Sequence, residues 1–188
     1  LEQAAITCDD DERDSLTNFV IVGGGPAGVE MAGALAEFCK YILQKDYPEY
    51  PASIMNIYLI EAIDELLSTM SDKASSKTLK YLKDLNVKVL FNESVSDYDG
   101  SEVTTNSGKK ILARNLIWTA GVKGQFPKGI DEKHVVRGNR LKTDSFLMVE
   151  GCKNIFAVGD IAAMITTDTP KGHPQVAQTA IQQGRSED

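Results

Sequence analysis

The residues with the clearest chemical purpose are Gly23-Gly24-Gly25-Pro26-Ala27-Gly28. They spell G-x-G-x-x-G, a pattern that carries weight only where a strand precedes it and a helix follows. Here the apolar run Asn18-Phe19-Val20-Ile21-Val22 comes immediately before, and a helical pattern opens at Pro26. Gly23 permits a tight turn, Gly25 leaves out the Cβ that would block a pyrophosphate, and Gly28 lets helix approach strand. Pro26 suits the first helical position, where an N–H has no partner. The free N–H groups and the positive helix end favour phosphate. The alternative, a glycine-rich turn with no ligand, fits this context less well.

Glu61 closes a second apolar run, Ile57-Tyr58-Leu59-Ile60. A carboxylate at that position accepts hydrogen bonds from an adenosine ribose, commonly about 20 residues after the glycines. Glu61 lies 33 positions after Gly28, and the Lys45–Ser53 segment, with Pro48 and Pro51, accounts for the excess. The plainer role is a solvated strand-end acid. Ala62-Ile63-Asp64-Glu65 offers no cation, so a 2′-phosphate would meet like charge, and NADH is expected over NADPH. Glu30, early in the first helix, shares a face with Ala27 and Met31. It either complements the positive helix end or belongs to the nucleotide turn that this face borders.

Three further polar residues stand out. Asp160 follows the apolar run Asn154–Val158 and Gly159, at a carboxyl end where α/β ligands gather. It can accept from a polyhydroxyl chain such as ribitol, or cap the turn. Gln178 and Gln182 are four apart and share one helix face. Their amides either donate to a ring carbonyl or form an exposed polar face. Ala177 and Ala180 keep that helix slim enough for a flat ring to lie close.

The elements that must position these residues follow from pattern. Asn18–Val22 reads as a buried parallel strand, and Pro26 to about Leu43 as a helix. Its stripe Gly28, Ala32, Ala36 packs closely on the sheet, with bulk from Leu35, Phe38 and Ile42. Ile57–Glu61 is a second strand, Ser71–Asn86 an amphipathic helix on Leu79, Leu82 and Leu85, and Val87–Phe91 a third strand. That alternation is a parallel-sheet, mononucleotide-binding pattern. Ser94–Tyr98, Glu102–Asn106 and Lys110–Ala113 form an antiparallel meander, turning at Asp99-Gly100 and Ser107-Gly108. Asn115–Thr119 is a further strand closed by Ala120-Gly121. A glycine-bearing loop, the strand Asn154–Val158 and a last helix, Pro174–Gln183, complete the pass. Leu1–Leu16 reads as a short helix whose acidic run, Asp9-Asp10-Asp11-Glu12, is a solvated face.

Composition sets the bounds. The chain has 188 residues, 42% of them apolar, enough for one domain or one and a half with a real core. With 20 basic residues against 27 acidic ones, the net charge is −7, which argues against nucleic acid. No apolar run approaches the roughly 18–20 residues of a membrane span. Cys8, Cys39 and Cys152 are too scattered for a disulfide scaffold or metal site, and suit a reducing compartment. His134 and His173 lie in loops and make no metal site. The opening at Leu1 suggests a piece of a longer protein.

Val20–Phe38 resembles the NAD-binding domain of flavoproteins with two dinucleotide folds, and within them type II NADH:quinone oxidoreductases. Three further pieces agree in order. Trp118-Thr119-Ala120-Gly121 resembles the turn that hands the chain back to the FAD domain. Ile155-Phe156-Ala157-Val158-Gly159-Asp160 resembles the second FAD motif. Pro174–Gly184 resembles the family's A-Q-x-A-x-Q helix near flavin and quinone. The first two are shared by the wider superfamily; the last is more specific to quinone reductases.

The resemblance implies a Rossmann-like NAD(H)-binding domain over residues 17–122, after an N-terminal helix or linker over 1–16. Residues 123–188 would be an incomplete C-terminal part of an FAD-binding domain. No second G-x-G-x-x-G is present, so the chain looks like a fragment, itself expected to be inactive. The implied activity passes a hydride from NADH to FAD and electrons on to a membrane quinone. Glu30 would shape the nicotinamide end, and Gln178 and Gln182 the quinone end. Gly23, Gly24, Gly25, Pro26, Ala27, Gly28, Glu61, Ala120 and Gly121 would hold NAD(H); Gly159, Asp160 and Ala177 would face FAD. The full protein would sit peripherally on the cytoplasmic side of a membrane, through regions outside this chain. Apolar surface around Phe146, Leu147 and Ile155 would drive self-association. A disulfide reductase or sulfide:quinone reductase would need reactive cysteines the chain does not offer. A redox sensor or scaffold resembling apoptosis-inducing flavoproteins remains the alternative.

Overall fold

The computed structural model describes residues 2–43, 45, 55–167, 169, 170 and 172–185. The loop expected over Lys45–Ser53, with Pro48 and Pro51, lies outside them apart from Lys45. The chain divides into two compact units, Leu1–Gly121 and Val122–Asp188.

In the first unit, α1 (Glu2–Ile6) and α2 (Asp10–Thr17) replace the single opening helix. The break is made by Asp9, whose carboxylate accepts from the Asp11 and Glu12 N–H groups. The acidic run is therefore a helix start rather than merely a solvated face: three acids occupy the first turn, where the helix dipole favours them. Glu12 also accepts from the Thr7 hydroxyl at 2.6 Å and from Arg114 at 3.1 Å.

β1 (Asn18–Val22) runs between β2 (Asn56–Ile60) and β7 (Asn115–Trp118), with β3 (Lys88–Leu90) outside β2. All three pairings are parallel. Asparagines open β1, β2 and β7 and knit their ends. Asn18 Nδ2 donates to Leu112 O, Asn56 Nδ2 to Asn18 Oδ1, and Asn115 Nδ2 to Leu16 O and Asn18 O.

Alternation along β1 divides the core. Ile21 faces α3 (Pro26–Phe38) together with Leu59, Ala32, Ala36 and Leu82 of α4 (Asp72–Asp84). Val20 and Val22 face the meander of β4 (Val95–Tyr98), β5 (Glu102–Thr105) and β6 (Lys110–Leu112), against Val103, Ile111 and Ala113. Both sheet faces are covered, which is why β1 is apolar from Phe19 to Val22.

The small-residue stripe is as expected: Gly28, Ala32 and Ala36 are the buried residues of α3. The bulk is not. Phe38 and Ile42 are exposed, and the buried residues of the π-helical extension Cys39–Leu43 are Cys39 and Leu43. Phe38 lies two positions past Ala36, about 200° around the helix and away from the sheet. α4 starts on Ser71, whose hydroxyl accepts from the Ala74 N–H, and stops before Asn86 in the left-handed region at φ 62°.

The second unit holds a three-stranded sheet ordered β10 (Ala162–Met164), β9 (Arg140–Thr143), β8 (Val135–Val136), over a core of Leu141, Val149, Ala157 and Ala162. The strand expected at Asn154–Val158 is reduced to one bridge, Met148 to Phe156, flanked by Val149 N to Ile155 O and Ala157 N to Leu147 O. Its partner is too short to ladder, because Leu147 turns into the left-handed region at φ 63°. Leu147 is buried, contrary to its expected exposure, while Phe146 is 78% exposed and Ile155 lies partly open. The last helix, α5 (Ala177–Arg185), begins three residues later than expected. His134 sits on a 3-10 turn and His173 accepts through its carbonyl from Arg140 at 2.7 Å; both are half-buried rather than loose.

Candidate functional site

The carboxyl ends of β1, β2 and β7 converge on the glycine turn. Gly23 continues the sheet by donating to Ile60 O at 2.8 Å, at φ +110°. Gly24 is buried; its N–H donates to Glu61 Oε2 at 2.5 Å, and its carbonyl accepts from Leu67 N–H at 2.9 Å. A Cβ on Gly24 would lie 2.6 Å from Leu66 Cδ2. Gly28 packs so closely that a Cβ there would drive into the Gly23 carbonyl oxygen. Gly25, Pro26 and Ala27 are exposed, and a Cβ on Gly25 would meet nothing within 4 Å. Gly25 caps α3 with no side-chain bond, Pro26 fills the first helical position, and the first-turn N–H groups have no acceptor within the helix. The result is an open, anion-favouring cradle over a tightly seated turn.

Glu61 stands one residue past β2, half-buried. Its Oε1 accepts from the Ile63 N–H at 3.1 Å while its own N–H donates to Leu90 O. Each carboxylate oxygen keeps a lone pair for a further donor. Glu30 is exposed, and the first turn of α3 carries no acidic residue, so its helix-capping role falls away.

The structure adds a residue not singled out from the sequence. Thr119, at the end of β7, sends its hydroxyl to Val22 O at 2.7 Å and Gly23 O at 3.2 Å. Ala120 and Gly121 follow in an exposed turn with Gly121 at φ +78°; the Trp118 indole N–H donates to Ala120 O.

In the second unit, Gly159 at φ +78° opens a 3-10 turn carrying Asp160. Asp160 is exposed, and its backbone carbonyl accepts from Gln175 Nε2 at 3.1 Å. Arg140 lies buried beneath, donating to Ala162 O at 2.5 Å. Burial pushes its guanidinium below the ordinary value, while the charge of Asp160 pulls the other way. Gln178, Gln182 and Ala177 are exposed on α5. The glutamine that holds the turn is their neighbour Gln183, 5% exposed, whose Oε1 accepts from the Gly159 N–H at 2.8 Å. Ala180 lies against Gly159, so its small size serves that contact. Thr179, Gln182 and Gln183 line a shallow cavity with His173 and Leu147.

A parallel sheet with a glycine turn feeding a helix, and a separate glycine–aspartate turn, are features of nucleotide-dependent redox enzymes. Residues 2–184 match the profile of the pyridine nucleotide-disulphide oxidoreductase family, and the chain belongs to it. It is 31% identical over 189 residues to the type II NADH:quinone oxidoreductase Ndh of Mycobacterium tuberculosis, covering 96% of this chain and 40% of that protein. It is 37% identical over 162 residues to the mitochondrial external alternative NAD(P)H-ubiquinone oxidoreductase B3 of Arabidopsis thaliana, covering 81% of this chain and 27% of that one. Among solved structures, NDH2 of Plasmodium falciparum in complex with NADH superposes with a TM-score of 0.76 at 28% identity, over 87% of this chain and 35% of that chain. The chain thus spans 40% or less of each of these relatives.

Proposed function

We propose that the first unit binds NADH and that the protein is an FAD-dependent NADH:quinone oxidoreductase. The observation that carries this reading is the cradle over Gly25. It is open where a diphosphate needs room, lined by first-turn N–H groups, and flanked by a strand-end carboxylate. The residues present fit NAD(H): Gly24, Gly25 and Ala27 border the phosphates, Glu61 accepts from the ribose, and Glu30 borders the nicotinamide. Ala120 and Gly121 close the turn beside them. The Gly159–Asp160 turn fits part of FAD, because an exposed carboxylate on a glycine turn can accept from ribitol hydroxyls. When bound, FAD supplies the acceptor for hydride and the donor of electrons to quinone. The chain's own part is binding and orientation, with Gln178 and Gln182 offering amide donors to a carbonyl. Among the described residues no group of side chains could hold a metal ion, and no helix is long and apolar enough to cross a membrane. A bilayer-dissolved quinone nevertheless places the work at a membrane face, and we assign it to the cytoplasmic side.

The test is calorimetry of the chain with NADH and NADPH. NADH should bind more tightly, because a 2′-phosphate would face Glu61, Asp64 and Glu65 with no cation in the segment Ala62–Glu65. Glu61→Gln should narrow the gap. Equal affinity for the two nucleotides overturns the assignment of Glu61, and failure to bind either overturns the nucleotide site.

A further inference from the structure

We infer that Thr119 is a positioning residue for the nucleotide site, acting through the peptide that joins Gly23 to Gly24. The inference rests on the reading of this turn as the NADH site. That peptide is gripped at both ends. On the carbonyl side, the Thr119 hydroxyl proton is shared between Gly23 O at 3.2 Å and Val22 O at 2.7 Å. On the amide side, the Gly24 N–H donates to Glu61 Oε2 at 2.5 Å. Gly23 stands in the left-handed region at φ +110° and has no side chain to hold its own orientation. The neighbouring strands therefore hold it, β7 through Thr119 and β2 through Glu61.

The fit around the hydroxyl is close. A Cβ on Gly28 would come within 2.8 Å of Thr119 Oγ, and one on Gly23 within 3.0 Å. Thr119 thus fills the space that the two glycines leave open. Its backbone is fixed independently, since its N–H donates to Val22 O at 2.8 Å. Removing the hydroxyl therefore frees one end of the peptide without dismantling β7. A freed peptide can rotate, which turns the Gly24 N–H away from Glu61 and takes the carboxylate out of its set position at the ribose. Thr119 reaches the nucleotide only through these two partners.

The test uses Thr119→Val, which keeps shape and removes the hydroxyl, and Thr119→Ser, which restores it. NADH affinity is measured by calorimetry, and the Gly24 amide is followed by nitrogen–proton correlation spectra without ligand. Thr119→Val should weaken NADH binding by about three- to tenfold, the range for one lost hydrogen bond. It should also move the Gly24 amide resonance, which reports the bond to Glu61. Thr119→Ser should return both to the wild-type values. Glu61→Gln should change affinity less when combined with Thr119→Val than in the wild type, because the peptide is already free. Thr119→Ala gives the same readouts should the valine variant fold poorly. A Gly24 amide unmoved in both Thr119→Val and Thr119→Ala overturns the clamp. So does a valine variant that serine fails to rescue. Wild-type chain that ignores NADH overturns the nucleotide reading instead, while the amide still decides whether the peptide is held.

Discussion

Gly28→Ala and Gly25→Ala make the same chemical change three residues apart, and the structure assigns them opposite consequences. At Gly28 the added methyl would lie far inside contact distance of the Gly23 carbonyl oxygen and 2.8 Å from Thr119 Oγ. Neither can retreat cheaply. Gly23 is tied to Ile60 O and Thr119 to Val22 O, both at 2.8 Å, so relief must pry α3 from the sheet or open the ladder. Overpacking that moves backbone costs about 1–3 kcal/mol and occasionally more, and we place Gly28→Ala at about 3 kcal/mol. At Gly25 the methyl meets nothing within 4 Å, and φ −73° suits alanine. Folding stability should hold or rise by about 0.4–1 kcal/mol. NADH affinity should fall by about tenfold or more, because the methyl enters the space assigned to the diphosphate. Gly33→Ala is the control: it lies inside α3 with Tyr81 Cε1 at 3.9 Å, and should gain about 0.5–1 kcal/mol with binding intact. Urea unfolding followed by circular dichroism gives the stabilities, and calorimetry the affinities. A Gly28→Ala midpoint equal to wild type refutes the close seating of the helix. Undiminished NADH binding by Gly25→Ala refutes the cradle.

Glu93 is buried and bonded to the Ser107 hydroxyl at 2.7 Å, which, with a second bond from Thr105 and the nearby Lys109, holds its carboxyl below the ordinary value of 4.5. Its depressed folded value means that its stabilisation is present above about pH 4.5 and is lost as pH falls through the folded value; Ser107→Ala should flatten that acid limb of a pH-dependent urea series, and an unchanged limb would count against the assignment. Gln183→Met should destabilise the second unit by about 1 kcal/mol through the lost bond to Gly159, whereas exposed Gln178→Met should stay within about 0.5 kcal/mol; thermal melts that rank the two in the other order contradict the structure. In the full flavin-loaded protein, replacing both Gln178 and Gln182 with Leu should slow quinone reduction and leave NADH-driven flavin reduction largely intact; stopped-flow that slows only flavin reduction assigns the helix to NADH instead.

Periodic features were legible in the sequence. The parallel strands, the Gly28–Ala32–Ala36 stripe and the meander turns each leave a local signature, because burial repeats every two or every three to four residues. The second unit was read less well, since its structure depends on single residues. Asn154–Val158 has the composition of a strand, yet its pairing depends on a partner that Leu147 cuts short by turning to φ 63°. Nothing in a leucine announces a left-handed backbone, and the same turn carries its side chain into the core. On α3, apolar bulk misled: Phe38 and Ile42 are large but lie off the stripe, while Cys39 and Leu43 continue it.

The two site residues that sequence reasoning passed over share one physical origin. A glycine in the left-handed region gives a turn its shape but contributes no side chain to hold that shape. Each unit meets this lack with a side chain from elsewhere. Thr119 reaches Gly23 across 96 residues, and Gln183 reaches Gly159 across 24. Such contacts have no period and no fixed spacing, so no window along the chain contains both partners. In α5 a single step along the helix changes what a glutamine does. Gln182 and Gln183 are adjacent and identical in type, but about 100° of helical rotation leaves the first exposed and buries the second against the Asp160 turn. The exposed glutamines are the two proposed above to meet a quinone, whereas the buried one holds the backbone from which Asp160 projects. A change at Gln183 should therefore disturb the contacts of Asp160 through the Gly159 backbone that it holds.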